Sequence, residues 1–153
     1  MKVYLAGPIY NMTVGEANDW RTETAAVLRA HGITGISPLR CEPPGVDGIY
    51  QGPYDDPKFG HLKAIASKNV FDTKMADVVL CYMPKSLNPT WPSVGTLAEL
   101  FMAFSWGKPV ILVTDEPRLL EHPLVRHAAG WVLPTLDDAV ELLTGLLVDY
   151  VEA

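Results

Sequence analysis

The sequence lacks the features that mark nucleic-acid-binding proteins and membrane proteins. Its 153 residues include only 12 lysines and arginines against 18 acidic residues, which gives a net charge of −6. Binding to a nucleic acid polymer needs concentrated positive charge, and no basic cluster occurs in the chain. No apolar run reaches the roughly 20 residues that a membrane-spanning helix requires. We therefore expect neither a nucleic acid polymer nor a membrane as partner.

Several well-known motifs are also missing. The two cysteines, Cys41 and Cys81, fit no redox or metal-ligand spacing, and together with the four histidines they form no zinc-ligand pattern. We therefore expect no metal. Neither GxGxxG nor GxxxxGK[ST] occurs, which excludes dinucleotide and P-loop sites. The lack of a GxSxG segment weakens an esterase interpretation. Residues 1–6 lead directly into Gly7 without a secretory leader pattern, so the expected location is cytoplasmic.

The apolar pattern predicts strands that alternate with helices over one domain, residues 1–153. Short apolar segments predict five strands, at residues 2–6, 33–36, 77–82, 110–113 and 131–133. Helices are predicted at about 14–31, 59–76, 94–106 and 119–127, and after Thr135. This alternation is typical of a doubly wound parallel α/β sheet, which binds ligands beyond the carboxyl ends of its strands.

The segment 93–109 is the most informative part of the chain. Its first residues, 93–96, form a turn around Gly95 that can cap a helix. Between residues 97 and 106 the only charged residue is Glu99, so the helix is predicted to be buried nearly all round, with Glu99 in its first turn. Burial of an unpaired carboxylate is costly. Either the helix N-terminus or a buried partner stabilises Glu99, or the carboxylate is held for chemistry, which we favour.

The segment 38–57 shows no periodicity and is rich in proline and glycine. A loop of this length within a compact domain is usually functional or mobile. One interpretation is a disordered excursion. The other, which we favour, is a lid over a pocket, because Tyr50 and Tyr54 are suited to stacking on a flat ligand.

Four segments resemble the nucleoside 2-deoxyribosyltransferase family in their sequence and order: VYLAGP at 3–8, Trp20-Arg21, FDTKMADVVL at 71–80 and SVGTLAE at 93–99. The resemblance covers most of the chain and implies a flavodoxin-like five-stranded sheet without a cofactor. It also implies a homo-oligomer whose active sites are completed by a neighbouring subunit. The implied activity is the transfer of a 2-deoxyribosyl group between nucleobases in nucleoside salvage, so nucleosides and nucleobases are the expected partners.

The resemblance also implies roles for particular residues. Glu99 is the expected nucleophile, which forms a glycosyl ester with overall retention of configuration, and Tyr4 is expected to orient it. Asn69 falls where the family has an aspartate that handles the base. An asparagine can hydrogen-bond a base but cannot act as an acid. Either Asp72, one turn further along the helix, takes that role, or activation of the leaving group is weaker.

The turns around the expected site supply further substrate-binding residues: Gly7, Pro8, Tyr10 and Gly95. Ser93 stands where some transferases carry an acid, and related nucleoside 5′-monophosphate glycosidases use a serine in this turn for phosphate. A nucleoside or nucleotide N-glycosidase is therefore an alternative, and a non-catalytic nucleotide-binding module is a third.

The segment 121–127 follows the fourth strand, where the family sends a loop into the pocket of a neighbouring subunit. His122 or a near neighbour is therefore expected to reach the 5′ side of the sugar in an adjacent site. The alternative is a plain surface helix.

Overall fold

The computed structural model describes residues 1–87 and 90–148. Its described part contains a five-stranded sheet in which every pairing is parallel, in the order β2-β1-β3-β4-β5. The strands are β1 (Lys2–Ala6), β2 (Thr34–Ile36), β3 (Val78–Tyr82), β4 (Val110–Val113) and β5 (Trp131–Leu133). This order confirms the predicted doubly wound, flavodoxin-like sheet. The chain order reverses between β1 and β3, which is where such sheets bind ligands.

Helices cover both faces of the sheet. They are α1 (Val14–Ala30), α2 (Leu62–Met75), α3 (Val94–Ser105), α4 (Pro117–Leu120), α5 (Pro123–Ala128) and α6 (Leu136–Leu147). The single helix predicted over 119–127 is wrong, because the chain forms two short helices there. Pro123 lacks a backbone N–H and cannot continue the preceding turn, so α5 begins anew at Pro123 with His122 as its N-cap.

The alternation of side chains along β1 divides the core into two layers. Tyr4 points to the face that carries α3 and α5, whereas Val3 and Leu5 point to the face that carries α1 and α6. The same alternation holds along β3 and β4, so each strand contributes to both layers. Tyr4 therefore lies on the same side of the sheet as α3, which carries Glu99.

The expectation that α3 is buried nearly all round is wrong. One face is buried, through Thr96, Glu99, Leu100 and Ala103, but Val94 on the opposite side is 81% exposed. The helix contacts the sheet, α2 and α5, and Leu97 and Phe101 are partly buried against the core, whereas Val94 and Phe104 are exposed in the described chain. Exposed apolar residues continue onto α2 and the end of α3, at Phe71, Met75, Phe104 and Trp106.

The long loop that was predicted over 38–57 is packed against the start of α1. Tyr50 is buried, its backbone N–H donates to the Met12 carbonyl, and its hydroxyl accepts from the Asn18 side chain at 2.7 Å. The interpretation of this loop as a disordered excursion therefore does not hold around Tyr50. Its closure over a bound ligand stays a prediction.

Within the described residues, no helix is both long enough and apolar enough to cross a membrane.

Candidate active site

A pocket of about 300 Å³ opens beside the carboxyl ends of β1 and β3. Four parts of the chain form its wall: the turn after β1, the loop after β2, the outer side of α2 and the beginning of α3. The wall residues are Gly7, Ile9, Tyr10, Glu42, Tyr50, Gly52, Tyr54, Leu62, Ile65, Asn69, Ser93, Gly95, Thr96 and Glu99. These wall residues include aromatic side chains, aliphatic side chains and two carboxyl groups, but no lysine or arginine.

Glu99 reaches the pocket from inside α3 and is 9% exposed. It is the sixth residue of a helix that begins at Val94, so the expectation that it lies in the first turn is wrong. The field of a helix N-terminus falls off within that first turn and does not explain this carboxylate. Burial raises the pKa of Glu99 to about 8, against a smaller lowering by Tyr4, Arg21 and Lys68. This carboxyl group is therefore largely protonated at neutral pH.

Tyr4 lies behind the pocket wall and is fully buried. Its hydroxyl makes no hydrogen bond of normal geometry within the described residues, but it is close enough to Glu99 for each group to shift the pKa of the other. Burial and Glu99 raise the pKa of Tyr4, and Tyr4 in turn lowers the pKa of Glu99. The hydroxyl can thus act only as a proton donor towards an ionised Glu99.

Arg21 is a buried cation beside this pair. Its guanidinium donates to the carbonyls of Leu5 and Gly7, at 3.0 and 2.9 Å, and lies over the Trp20 ring. Burial lowers its pKa to about 10, which leaves it charged at neutral pH. Arg21 therefore fixes the turn after β1 and supplies positive charge near Glu99. A Cβ atom on Gly7 would come within 2.8 Å of Trp20, so this turn accommodates only glycine.

The structure separates the two candidates for contact with the base. Asn69 lies on the pocket wall, with its side-chain oxygen accepting from Lys68 at 3.0 Å. Asp72 is buried away from the wall, and both of its oxygens accept from Arg40. The predicted alternative that Asp72 handles the base thus finds no support in the geometry. An ion pair with Arg40 holds this carboxylate instead.

Glu42 is a pocket residue that the sequence did not single out. It is 7% exposed, and its Oε1 lies 3.5 Å from the Lys68 ammonium, which is also buried. Burial raises the pKa of Glu42, while Lys68 and Arg21 oppose that shift. The only available signal was its place in the loop after β2, beside the expected ligand end of the sheet. Thr96 and the aliphatic wall residues were missed as well.

The other predicted site residues divide into two groups. Gly7, Tyr10, Ser93 and Gly95 lie on the wall, and the Ser93 hydroxyl caps α3 by accepting from the Thr96 N–H. Pro8 and His122 lie off the wall. The His122 ring accepts from the Leu124 N–H at 3.2 Å and caps α5, outside the pocket of its own chain. Across the described chain, no group of three or more metal-ligating side chains is assembled.

Comparison with known proteins gives a consistent result. A family model described as nucleoside 2-deoxyribosyltransferase matches residues 3–149. No match was found among curated proteins. A solved 2-deoxyribosyltransferase from Bacillus psychrosaccharolyticus is 22% identical, with a TM-score of 0.63 over 92% of this chain and 90% of that one.

Two further solved structures have a similar fold at lower identity. A 2-deoxyribosyltransferase from Leishmania mexicana is 15% identical, with a TM-score of 0.58 over 94% of this chain and 97% of its own. A CMP N-glycosidase from Clostridium botulinum is also 15% identical, with a TM-score of 0.55 over 94% and 98%. At these identities the likeness shows the fold alone.

Proposed function

The chain belongs to the nucleoside 2-deoxyribosyltransferase family, and on that premise we propose that it transfers a 2-deoxyribosyl group between nucleobases through an ester with Glu99. The observation that carries the proposal is a buried carboxyl group at the pocket wall, with Tyr4 and the Arg21 cation beside it. Both neighbours favour the ionised form, which is the nucleophile.

The proposed reaction consists of two displacements at C1′ of the sugar. The Glu99 carboxylate attacks C1′ as the bond to the first base breaks, and the second base then attacks the glycosyl ester. Two inversions at one carbon give overall retention of configuration. Tyr4 is proposed to donate to the carboxylate oxygen that does not attack, which keeps the other oxygen directed at the sugar.

The pocket wall favours a nucleoside over a nucleotide. Tyr50, Tyr54 and Ile65 offer flat or apolar surface for a base. Glu42 and Glu99 both lie on the wall, and the described wall residues include no lysine or arginine. A phosphate group would add negative charge to a wall that already carries two carboxyl groups.

A single assay tests the proposed function. The protein is incubated with 2′-deoxyinosine, with and without free adenine, and the products are separated by chromatography. Formation of 2′-deoxyadenosine supports the transferase. Free 2-deoxyribose in both incubations identifies an N-glycosidase, and binding without turnover identifies a nucleotide-binding module.

An N-glycosidase is the second candidate because of Ser93. Its hydroxyl lies on the pocket wall next to the first N–H groups of α3, a position that can contact a phosphate. A nucleoside monophosphate that is cleaved by water in place of a second base would favour this candidate.

We expect that Tyr54→Ala raises the KM for 2′-deoxyinosine about tenfold, because stacking of a base on an aromatic ring contributes about 1–3 kcal/mol. Tyr54 lies on the pocket wall and is half-buried. The matched control is Tyr54→Phe, which keeps the ring and should keep the KM within about twofold of the parent. Steady-state kinetics of both variants checks the expectation, and an unchanged KM in the alanine variant contradicts it.

A homo-oligomer with shared sites is also part of the proposal. The uncovered apolar side chains on α2 and α3 support it, because monomeric proteins rarely expose a large apolar patch. His122 lies outside the pocket of its own chain, and we propose that it reaches the sugar in a neighbouring one. A cytoplasmic role in nucleoside salvage, which the family resemblance implies, is proposed with it.

Mixing two inactive variants tests the shared site. Glu99→Ala and His122→Ala are expected to be inactive alone and to regain activity after joint dissociation and reassembly. In a randomly reassembled symmetric dimer about a quarter of the sites contain both wild-type residues. Each variant taken alone through the same treatment is the control. If the mixture stays as inactive as its components, each chain builds its own site.

A further inference from the structure

The proposed reaction needs a proton for the leaving base, and neither residue predicted from the sequence supplies it. Asn69 lies on the pocket wall, but an amide cannot act as an acid. Asp72 lies off the wall, and both of its oxygens accept from Arg40. An acid that this chain supplies would therefore come from another part of the pocket.

Glu42 is the one carboxyl group besides Glu99 on the described pocket wall. It comes from the loop after β2, whereas Glu99 comes from α3. The two are close enough for the charge of Glu42 to raise the pKa of Glu99. This arrangement of two carboxyl groups around one cavity suits a nucleophile and an acid acting on the same glycosidic bond.

One oxygen of Glu42 faces the buried Lys68 ammonium, while the residue itself lies on the pocket wall. The atom Oε1 is buried and has no hydrogen-bond partner among the described residues, and the Lys68 ammonium stands 3.5 Å away. That ammonium donates instead to the Pro38 carbonyl and to Asn69. Glu42 is therefore a wall carboxyl group that is ion-paired with Lys68 and has one oxygen without a hydrogen bond to the described chain.

The surroundings of Glu42 place it at the base end of the pocket. Tyr50 and Tyr54 lie on the same wall, and Glu42 and Tyr50 both contribute to raising the pKa of Tyr54, which burial brings to about 12. These rings form the flat surface expected to hold a base. Burial raises the pKa of Glu42, which Lys68 and Arg21 only partly offset, and burial also raises the pKa of Tyr54, so Glu42 gives up a proton more readily than Tyr54.

We propose that Glu42 is the catalytic residue that protonates the leaving base. The proposal rests on glycosyl transfer at Glu99. As the C1′–N bond breaks, its electron pair passes to the base, and a ring nitrogen takes the proton of the Glu42 carboxyl group. A Glu99 oxygen forms the new bond to C1′. In the second half, the Glu42 carboxylate takes a proton from the incoming base, whose nitrogen attacks C1′ and releases Glu99.

The test compares two substrates that differ in their need for a proton. 2′-Deoxyinosine loses a base that must be protonated, whereas 7-methyl-2′-deoxyinosine carries a quaternised base that leaves without a proton. We expect Glu42→Gln to lower kcat/KM about 10²–10⁴-fold on the first substrate, the usual range for loss of a general acid. On the second substrate we expect a loss of less than about tenfold.

Equal losses on both substrates would overturn the proposal, because a residue that only binds or supports the fold affects both alike. The matched control is Glu23→Gln on the exposed side of α1, which should leave both rates unchanged. If Glu42→Gln is destabilised by the unpaired Lys68 charge, the double variant Glu42→Gln/Lys68→Met removes that charge. The losses in kcat/KM of the double variant on the two substrates are then compared in the same way.

The wild-type protein separates this proposal from the proposed function. If the wild-type protein transfers the sugar of neither substrate, the proposed glycosyl transfer is wrong. If the wild-type protein uses both substrates and Glu42→Gln loses activity on both equally, the assignment of Glu99 as nucleophile is unaffected but Glu42 is not the acid.

Discussion

Replacement of Glu99 by alanine is expected to lower glycosyl transfer by about 10³-fold or more, since it removes the nucleophile that forms the covalent intermediate. The intermediate should also be observable directly. A 2-fluoro-2-deoxy nucleoside slows release of the sugar, and peptide mass mapping should then place the adduct on Glu99. Full activity in Glu99→Ala, or a label on another residue, would contradict the assignment.

Stability measurements test the raised pKa of Glu99. The pKa of Glu99 is about 8 in the folded chain against an ordinary value of 4.5, so the folded state binds this proton more tightly than the unfolded state. The stability that the proton provides is full below pH 4.5 and is lost as the pH rises to about 8. Glu99→Gln, which cannot ionise, should therefore be more stable than the parent at pH 9, by roughly 1–4 kcal/mol. A less stable variant at that pH would contradict the raised pKa.

Removal of the Tyr4 hydroxyl is expected to move the pH dependence of the reaction. On 7-methyl-2′-deoxyinosine, whose base leaves without a proton, kcat/KM of the parent should rise with pH as Glu99 ionises, with an inflection near 8. Tyr4 lowers the pKa of Glu99, so Tyr4→Phe should shift the inflection to higher pH. At pH 7 the activity should fall about tenfold for each unit of that shift, because the ionised fraction falls equally.

The control for Tyr4→Phe is Tyr82→Phe. Tyr82 also stands on a central strand, but it packs against Trp20 and lies off the pocket wall. Its removal should leave the inflection where it is in the parent. An unchanged inflection in Tyr4→Phe as well would show that Tyr4 does not act on the Glu99 carboxyl group.

The sheet could be predicted because its strands are nearly continuous apolar runs between polar or glycine-containing turns. Strand β4 occupies the predicted residues 110–113, and β3 begins one residue later than predicted. A parallel sheet buries both faces of its central strands, so the pattern is strong and local. The same sheet geometry brings the turn after β1 and the start of α3 together, which is why Gly7 and Gly95 were predicted on the pocket wall.

The parts that sequence reasoning missed depend on contacts between distant segments. The pairing of Asp72 with Arg40 joins residues 32 positions apart, and nothing in the sequence around Asp72 indicates it. Glu42 lies in a loop without periodicity, so only the folded chain brings it next to Glu99. The apolar composition of α3 led to the expectation of complete burial, because composition does not distinguish a buried helix from one with an uncovered apolar face.

The burial that raises the pKa of Glu99 also gives this carboxyl group a distinct reactivity. Diazo compounds esterify carboxylic acids that carry their proton and leave carboxylates alone. At neutral pH an exposed aspartate or glutamate has lost that proton, whereas Glu99 retains it for much of the time and faces an open cavity. A nucleoside-shaped diazo reagent would thus be selective for Glu99 for two reasons, the shape of the pocket and the protonation of this one side chain. The desolvation that keeps Glu99 protonated, and so less nucleophilic, also makes it reactive towards this covalent label.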